Sequence, residues 1–197
     1  MFAPSITRDE LHKLPTGQFN GHIHLIEDIS HISDICKGLA KETILGFDTE
    51  TKPSFKKGNS NTVSLLQLAT SDDAYLFRLN KTGLPKTLIK ILSDPAILKV
   101  GIAIRDDIRH LASVCDFKAD GFIELQNYVK QFGIENSGLS KLSGIILNFR
   151  ISKSQQLSNW ENEVLTDAQK LYAATDAWAA CQIYKTLIQL QSQVSND

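Results

Sequence analysis

Acidic side chains that could bind divalent metal ions occur at three places in the chain. The first is the segment 46–50, where Asp48 and Glu50 follow a short apolar run. Because side chains alternate along a strand, these two carboxylates would leave the same face of it. Hard cations such as Mg²⁺ prefer oxygen ligands, and a pair of such ions needs several carboxylates from different elements. Two solvated acids at the end of a strand would explain this segment equally well when it is taken alone.

The second place is a pair of aspartates in a predicted helix over residues 105–115. Helical geometry separates their directions, since residues three and four apart share a face. Asp107 shares its face with the apolar residues Ile104 and Leu111. A carboxylate on an apolar face is costly to desolvate unless it has a partner, and a metal ion is one such partner. We therefore predict Asp107 as a ligand and Asp106 as a solvated acid of the first helical turn.

The third place is an alanine-rich segment of the last predicted helix, in which Tyr172 and Asp176 stand four residues apart. This spacing puts them one above the other on the same face of the helix. The Asp176 carboxylate, on the face of a helix, could be a further ligand of a metal ion. Alternatively, Tyr172 could simply donate a hydrogen bond to Asp176 within a packed helix interface, and this segment by itself does not separate the two interpretations.

The elements that must position these residues are predicted to be strands in the first half of the chain and mainly helices in the second, as in an α/β protein. Short apolar runs predict strands at residues 22–26, 43–48, 63–69, 74–79 and 97–102, with a polar loop at 50–61. Apolar residues at helical spacing predict helices at 28–39, 85–92, 105–115, 124–132, 139–147 and 166–194. Thr166 and Gln169 form a capping-box pattern at the start of the last helix.

Composition narrows the class of protein. The 197 residues include 21 Lys and Arg against 22 Asp and Glu, a net charge of −1, which excludes binding of a polyanion through bulk positive charge. Three widely spaced cysteines indicate buried thiols in a reducing compartment. The N-terminus lacks the basic and apolar regions of a signal peptide, and no apolar run approaches the length of a membrane span. We therefore expect a cytoplasmic protein with no membrane partner.

No low-complexity tract or Pro/Ser-rich linker divides the chain. We predict an N-terminal extension over residues 1–20, which contains Pro4, Pro15 and Gly17, followed by a single domain over residues 21–197.

Taken together and in this order, the three acidic segments resemble the motifs of the DEDD superfamily of 3′–5′ exonucleases. GFDTETKPSF resembles the first motif, KVGIAIRDDIRHL the second and QKLYAATDAWAACQIY the third, while SLLQLA matches the strand after the first motif. The spacing of Tyr172 and Asp176 is that of the DEDDy branch. Within the superfamily, the sequence resembles the exonuclease domain of the Werner-syndrome helicase and its small bacterial relatives, and then ribonuclease D.

This resemblance implies a ribonuclease-H-like α/β fold, with a mixed five-stranded sheet that has one antiparallel strand and is flanked by helices. It implies two Mg²⁺ or Mn²⁺ ions held by four carboxylates, those of Asp48, Glu50, Asp107 and Asp176. Tyr172 would orient the attacking water, because a phenol with an ordinary pKa near 10 is a poor base. The implied reaction is removal of nucleoside 5′-monophosphates from 3′ ends.

We expect the substrate to be a single-stranded or recessed 3′ end. DNA is favoured over RNA, because the chain has no room for the C-terminal helical domains of ribonuclease D. An exoribonuclease is the alternative enzyme, and a catalytically silent nucleic-acid-binding module is the alternative from another class. Two divalent cations would add four positive charges to the chain's −1, so the metals would supply much of its attraction for a polyanion. The sequence does not identify protein partners.

Four further residues are candidates for contact with nucleic acid. Thr49 lies within the first motif, and Lys56 lies in the lysine-containing loop that follows it. Lys153 and Trp160 lie in the segment before the last helix, where basic residues next to an aromatic suit a single strand with stacked bases. Lysines in a loop are also commonly just solvated, and Trp160 could instead anchor its loop by packing.

Overall fold

A mixed β-sheet crosses the part of the chain that the computed structural model describes, residues 2–52 and 62–194. Among these residues there are six strands: β1 His22–Ile26, β2 Ile44–Thr51, β3 Val63–Ala69, β4 Asp73–Arg78, β5 Leu98–Gly101 and β6 Phe122–Glu124. Their order is β1-β4-β3-β2-β5-β6. Strand β3 is antiparallel to both of its neighbours, and the other pairs are parallel. The α/β class and the mixed sheet with one antiparallel strand are confirmed.

The prediction of five strands was wrong, because β6 adds a sixth strand at the sheet edge. It pairs in parallel with β5, with Val100 opposite Ile123. Glu124, predicted to start a helix, instead ends β6, and the helix begins at Leu125. A strand of three residues is too short for alternation to be recognised in a sequence.

Helices cover both faces of this sheet. Among the described residues they are α1 Arg8–Lys13, α2 Ile32–Leu39, α3 Leu79–Thr82, α4 Lys86–Ser93, α5 Ile104–Val114, α6 Leu125–Tyr128, α7 Leu139–Leu142 and α8 Asp167–Val194. Short 3₁₀ segments at Ile29–His31 and Val129–Phe132 extend α2 and α6, and a π-helical turn at Ser143–Leu147 follows α7. None of these helices is long and apolar enough to cross a membrane.

Side chains of β2 alternate between the two faces of the sheet, and each face packs against a different set of helices. Leu45 and Phe47 are buried on one face in the core that includes residues of α2, α4 and α5. On the other face, Gly46 lies against the backbone of α8 at Ala177. The capping box predicted for α8 is present, since the Gln169 amide donates to Thr166 Oγ1 and the Thr166 amide donates to Gln169 Oε1.

The N-terminal residues lie against the sheet domain. A capping box of Thr7 and Glu10 starts α1. The Gly17 amide donates to the Arg150 carbonyl over 2.9 Å. Phe19 is buried, and its amide donates to Thr175 Oγ1 of α8 over 3.1 Å. The segment predicted as an extension is therefore held by hydrogen bonds to Arg150 and to Thr175 of α8.

Candidate metal centre and active site

Three of the four predicted carboxylates meet at one point of the fold. Single ligand oxygens of Asp48, Glu50 and Asp176 all lie within 4.8 Å of one another. Asp48 and Glu50 come from β2, two residues apart on one face, while Asp176 comes from α8, which packs on that face. Acids from two different elements therefore converge here, as the binding of a hard divalent cation requires.

A glycine allows β2 and α8 to approach closely enough for this meeting. A Cβ atom at Gly46 would lie 1.8 Å from the carbonyl oxygen of Ala177. No side chain can occupy that position, so the two backbones are in direct contact there. Gly46 lies two residues before Asp48 on the same face, and Ala177 follows Asp176 directly. The close approach therefore positions both carboxylates.

The three carboxylates share one electrostatic environment. Burial, followed by the charges of neighbouring carboxylates, raises the pKa of Glu50 to about 10. Burial also raises the pKa of Asp176 to about 7, and interaction with the Tyr172 hydroxyl opposes this shift. The pKa of Asp48 is well above its ordinary value for the same two reasons, burial first and the charges of Asp176 and Asp107 second. Carboxyl groups held this close can all be ionised together only if positive charge lies beside them.

Tyr172 stands one helical turn before Asp176, as the sequence predicts. Burial, followed by the charges of Asp176 and Glu50, raises the pKa of its hydroxyl. The ring lies next to the indole of Trp160, with ring centroids 6.0 Å apart. The phenol is therefore held between a packed aromatic residue and the carboxylates.

The expectation that Trp160 stacks on nucleic acid was wrong. Its side chain is completely buried, in a cluster with Leu65, Leu76 and Leu165. A buried indole exposes no face to a base, and the alternative of a packing anchor is the one the structure shows. Its position next to Tyr172 makes it a support for that ring.

Asp107 lies beside the three carboxylates without joining the group. Its Oδ1 accepts a hydrogen bond of 2.5 Å from Thr49 Oγ1, on the opposite face of β2 from Asp48. Asp107 is half-buried, whereas Asp106 is exposed and forms an ion pair of 3.1 Å with Arg109. The two neighbouring aspartates thus point in different directions, as the helical spacing predicts. Thr49 is buried, and its hydroxyl is hydrogen-bonded to Asp107.

Glu124 is a positioning residue that the sequence analysis missed. Its carboxylate accepts from the amide of Ala103 over 3.1 Å and from the amide of Ile104 over 3.0 Å, at the start of α5. These amides have no partner within the helix, and Ala103 is in the left-handed region with φ of 57°. Glu124 thereby fixes the start of the helix that carries Asp107. Because it lies 20 residues beyond Ile104, no local pattern indicates this contact.

Of the predicted lysine contacts, one lies near the acids and one cannot be placed. Lys153 is exposed and lines a cavity of about 150 Å³ together with Tyr172 and Asp176. Its charge acts on Asp176 in the direction that lowers the pKa of that carboxyl. Lys56 lies outside the described residues, as does most of the loop predicted at 50–61, although Glu50 and Thr51 belong to β2.

The residues at this site fit a divalent metal centre. Their ligand atoms are carboxylate oxygens, which hard cations prefer. Within residues 2–52 and 62–194, no lysine or arginine forms an ion pair with any of the four acids, Asp48, Glu50, Asp107 and Asp176. Burial and, for Asp48 and Glu50, the charges of neighbouring carboxylates thus raise the pKa values of these acids without a direct ion pair in this part of the protein, and metal cations would stabilise their charged forms.

The mixed sheet and the carboxylate group between β2 and α8 define the class of ribonuclease-H-like nucleases. A family model described as 3′–5′ exonuclease matches residues 23–191, and the chain belongs to this family. It is similar to the bifunctional 3′–5′ exonuclease/ATP-dependent helicase WRN of Mus musculus, with 35% identity over 184 residues. That match covers 88% of this chain and 13% of the mouse protein, so the chain spans a small part of this relative.

Solved structures agree with this assignment. The Nibbler EXO domain of Aedes aegypti superimposes with a TM-score of 0.79 and 27% identity, over 91% of this chain and 93% of that one. Escherichia coli RNase D superimposes with a TM-score of 0.77 and 21% identity, over 87% of this chain and 46% of that one. The second likeness concerns the fold alone.

Proposed function

We propose that this protein hydrolyses the last phosphodiester bond at the 3′ end of a nucleic acid and releases nucleoside 5′-monophosphates one at a time. The observation that carries this proposal is the convergence of Asp48, Glu50 and Asp176 from two elements, with Tyr172 beside them. A catalytically silent module would have no use for three buried carboxylates that repel one another.

The four carboxylates of Asp48, Glu50, Asp107 and Asp176 would hold two Mg²⁺ or Mn²⁺ ions. When bound, such ions lower the pKa of a coordinated water and stabilise the charge of the leaving oxygen. In this protein, the close contact of β2 with α8 sets the spacing of three of these ligands. The hydrogen bond from Thr49 sets the direction of the fourth, Asp107.

The part we assign to Tyr172 is to orient the attacking water through its hydroxyl. The ring is supported by Trp160, and the hydroxyl lies beside Asp176 and close to Glu50. A fixed phenol can accept a hydrogen bond from the water and direct its lone pair at phosphorus.

We propose DNA as the preferred substrate, with single-stranded or recessed 3′ ends. The sequence identity to the mouse exonuclease/helicase, 35%, exceeds the identity to E. coli RNase D, 21%. The second candidate is an exoribonuclease, which the fold likeness to RNase D favours; that protein is described as an exoribonuclease involved in structured RNA processing. We also propose a cytoplasmic location and a single catalytic domain over residues 21–197.

Oligonucleotides of one sequence, made as DNA and as RNA and labelled at the 5′ end, test this proposal. With Mg²⁺ or Mn²⁺ we expect a ladder of shortened labelled products, formed faster from DNA, and no shortening in EDTA. Faster shortening of RNA would favour the exoribonuclease. Intact DNA and RNA in both metals would contradict the enzymatic proposal and favour the silent module.

A further inference from the structure

A groove of about 850 Å³ lies between the N-terminal helix α1 and the chain around residues 150–153. Arg8, Leu11 and His12 of α1 form one side, at the helical spacing that puts them on one face. Lys141 of α7 and residues 150–153 form other parts of the lining. The segment predicted as an extension of the domain is thus a wall of this groove.

The lining of the groove is basic. It contains Arg8, Lys141, Arg150 and Lys153 against one acid, Glu135. Among the described residues, none of these four cations forms an ion pair. Four positive charges facing one cavity in a protein of net charge −1 are a local concentration that favours an anion.

Arg150, one of the four cations of the groove, has an unpaired donor atom. Arg150 Nε is buried and has no hydrogen-bond acceptor in the part of the chain that the structure describes. Buried N–H groups are nearly always paired, and within the described residues no carboxylate or carbonyl accepts from this nitrogen of a residue that lines the groove. The planar guanidinium matches the oxygens of a phosphate, as it matches those of a carboxylate.

The groove is continuous with the active site. Ser140, Ile151, Ser152 and Lys153 line both the groove and the smaller cavity of about 150 Å³. That smaller cavity is also lined by Tyr172 and Asp176. A polymer with one end at the carboxylates can therefore extend along these shared residues into the groove.

Several contacts hold α1 in place as a wall. The Ile6 amide donates to Asn136 Oδ1 over 2.9 Å, and the Glu135 amide donates to the Pro4 carbonyl over 2.8 Å. Leu11 packs on Gly144, where a Cβ atom would lie 2.7 Å from Leu11 Cδ1. The groove is therefore built by tertiary contacts.

We infer that this groove binds the phosphate backbone of the substrate strand on the 5′ side of the scissile bond. The inference rests on the proposed function and deepens it. An exonuclease acting from the 3′ end has a single nucleotide beyond the scissile phosphate, so the part of the cleaved strand that continues away from the carboxylates is its 5′ side. Arg8, Lys141 and Arg150 would contact backbone phosphates, which DNA and RNA share.

The test compares a double variant, Arg8→Ala with Lys141→Ala, with a control variant, Lys13→Ala. Lys13 is an exposed cation of the same helix that does not line the groove. The first readout is binding of a labelled decanucleotide, as DNA and as RNA, with phosphorothioate linkages at its 3′ end to prevent cleavage. Binding is measured by fluorescence anisotropy over a range of salt concentrations. The second readout is kcat/KM for a decanucleotide and for a dinucleotide.

We expect the double variant to bind the decanucleotide about tenfold more weakly. The slope of the logarithm of its binding constant against the logarithm of the salt concentration should become shallower by about 0.7 for each cation removed. The ratio of kcat/KM for the decanucleotide to that for the dinucleotide should fall in the double variant and not in Lys13→Ala. Thermal unfolding of each variant checks that the fold is retained.

Equal binding and equal salt slopes in the double variant and the control would overturn the inference. A change only in inhibition by added nucleoside 5′-monophosphate would also overturn it, since the groove would then bind product. Failure of the proposed function gives a different result: the wild-type protein would cleave neither substrate, while the anisotropy measurement would still show whether the groove binds the strand.

Discussion

At the residue scale, the start of α5 places two aspartates of the same chemistry in different surroundings. Asp107 is half-buried and accepts a hydrogen bond from Thr49, while Asp106 is exposed and pairs with Arg109. We expect Asp107→Asn to lower kcat by more than about 100-fold, because loss of a metal ligand should exceed the 10–100-fold cost of changing an outer-shell residue. Asp106→Asn is the matched control and should retain most activity. Comparable losses in the two variants would contradict the assignment of Asp107.

Tyr172 provides a second prediction at this scale. Tyr172→Phe keeps the packing on Trp160 and removes only the hydroxyl beside Asp176. We expect kcat to fall about 100-fold through loss of water orientation, while the rise in unfolding temperature on adding Mg²⁺ is retained. Tyr128→Phe removes a hydroxyl that contacts Gln191, and it should leave kcat unchanged. A Tyr172→Phe variant with full activity would exclude this role for the hydroxyl.

Individual residues differ in how far the sequence predicts their placement. The directions of Asp48, Glu50, Asp107 and Tyr172 follow from strand alternation and helical phase, which are local properties. Trp160 has polar and charged neighbours in sequence, and its complete burial arises from contacts with β3 and β4 that no local pattern shows. Glu124 acts on the start of α5 across the sheet edge, and its partners are likewise distant in the chain.

At the element scale, the contact between β2 and α8 determines whether the carboxylates meet. We expect Gly46→Ala to destabilise the fold by about 1–3 kcal/mol, because its Cβ atom would overlap the Ala177 carbonyl. The same displacement should weaken Mg²⁺ binding, measured as the metal-induced shift in unfolding temperature.

Gly38→Ala is the matched control for this prediction. Gly38 lies in α2, and a Cβ atom there would meet nothing within 4 Å. Alanine in a helix interior is favoured over glycine by about 0.5–1 kcal/mol, so this variant should be slightly more stable. The free energies of unfolding in urea measure both effects. Equal stability of the two variants would contradict the close contact assigned to Gly46.

Elements with a clear period of apolar residues were predictable from the sequence. Elements that are very short, or that depend on pairing with a distant part of the chain, were not. Strands β1 and β3 and the capping box of α8 agree with the sequence analysis. Strand β6 has three residues and depends on pairing with β5. Helix α1 was not predicted, although its capping box of Thr7 and Glu10 is a local pattern that is visible in the sequence.

At the scale of the whole molecule, the acidic group should reduce stability when no metal is bound. The folded-state pKa of Asp176 is about 7, above its ordinary value of 3.8. A carboxyl with a raised pKa in the folded state lowers stability as pH rises through that interval, because the unfolded chain releases its proton first. We therefore expect the unfolding temperature in EDTA to fall between about pH 4 and pH 7.

Two comparisons check the origin of this pH dependence. Asp176→Asn should reduce it, whereas Asp106→Asn, at an exposed ion pair, should not. Mg²⁺ should raise the unfolding temperature of the wild-type protein most at the high end of the range, where the Asp176 carboxyl loses its proton. A rise of stability with pH across this interval in EDTA would contradict the electrostatic account of the site.

The most direct test of the central claim is the polarity and product of cleavage. One DNA strand is labelled at its 5′ end in one sample and at its 3′ end in another, and both are incubated with Mg²⁺ and with wild-type protein or Asp48→Asn. For the wild-type protein we predict immediate release of the 3′ label as a nucleoside 5′-monophosphate, gradual shortening of the 5′-labelled strand, and neither with Asp48→Asn. Release of the 5′ label first, internal cuts, or full activity in Asp48→Asn would contradict the account.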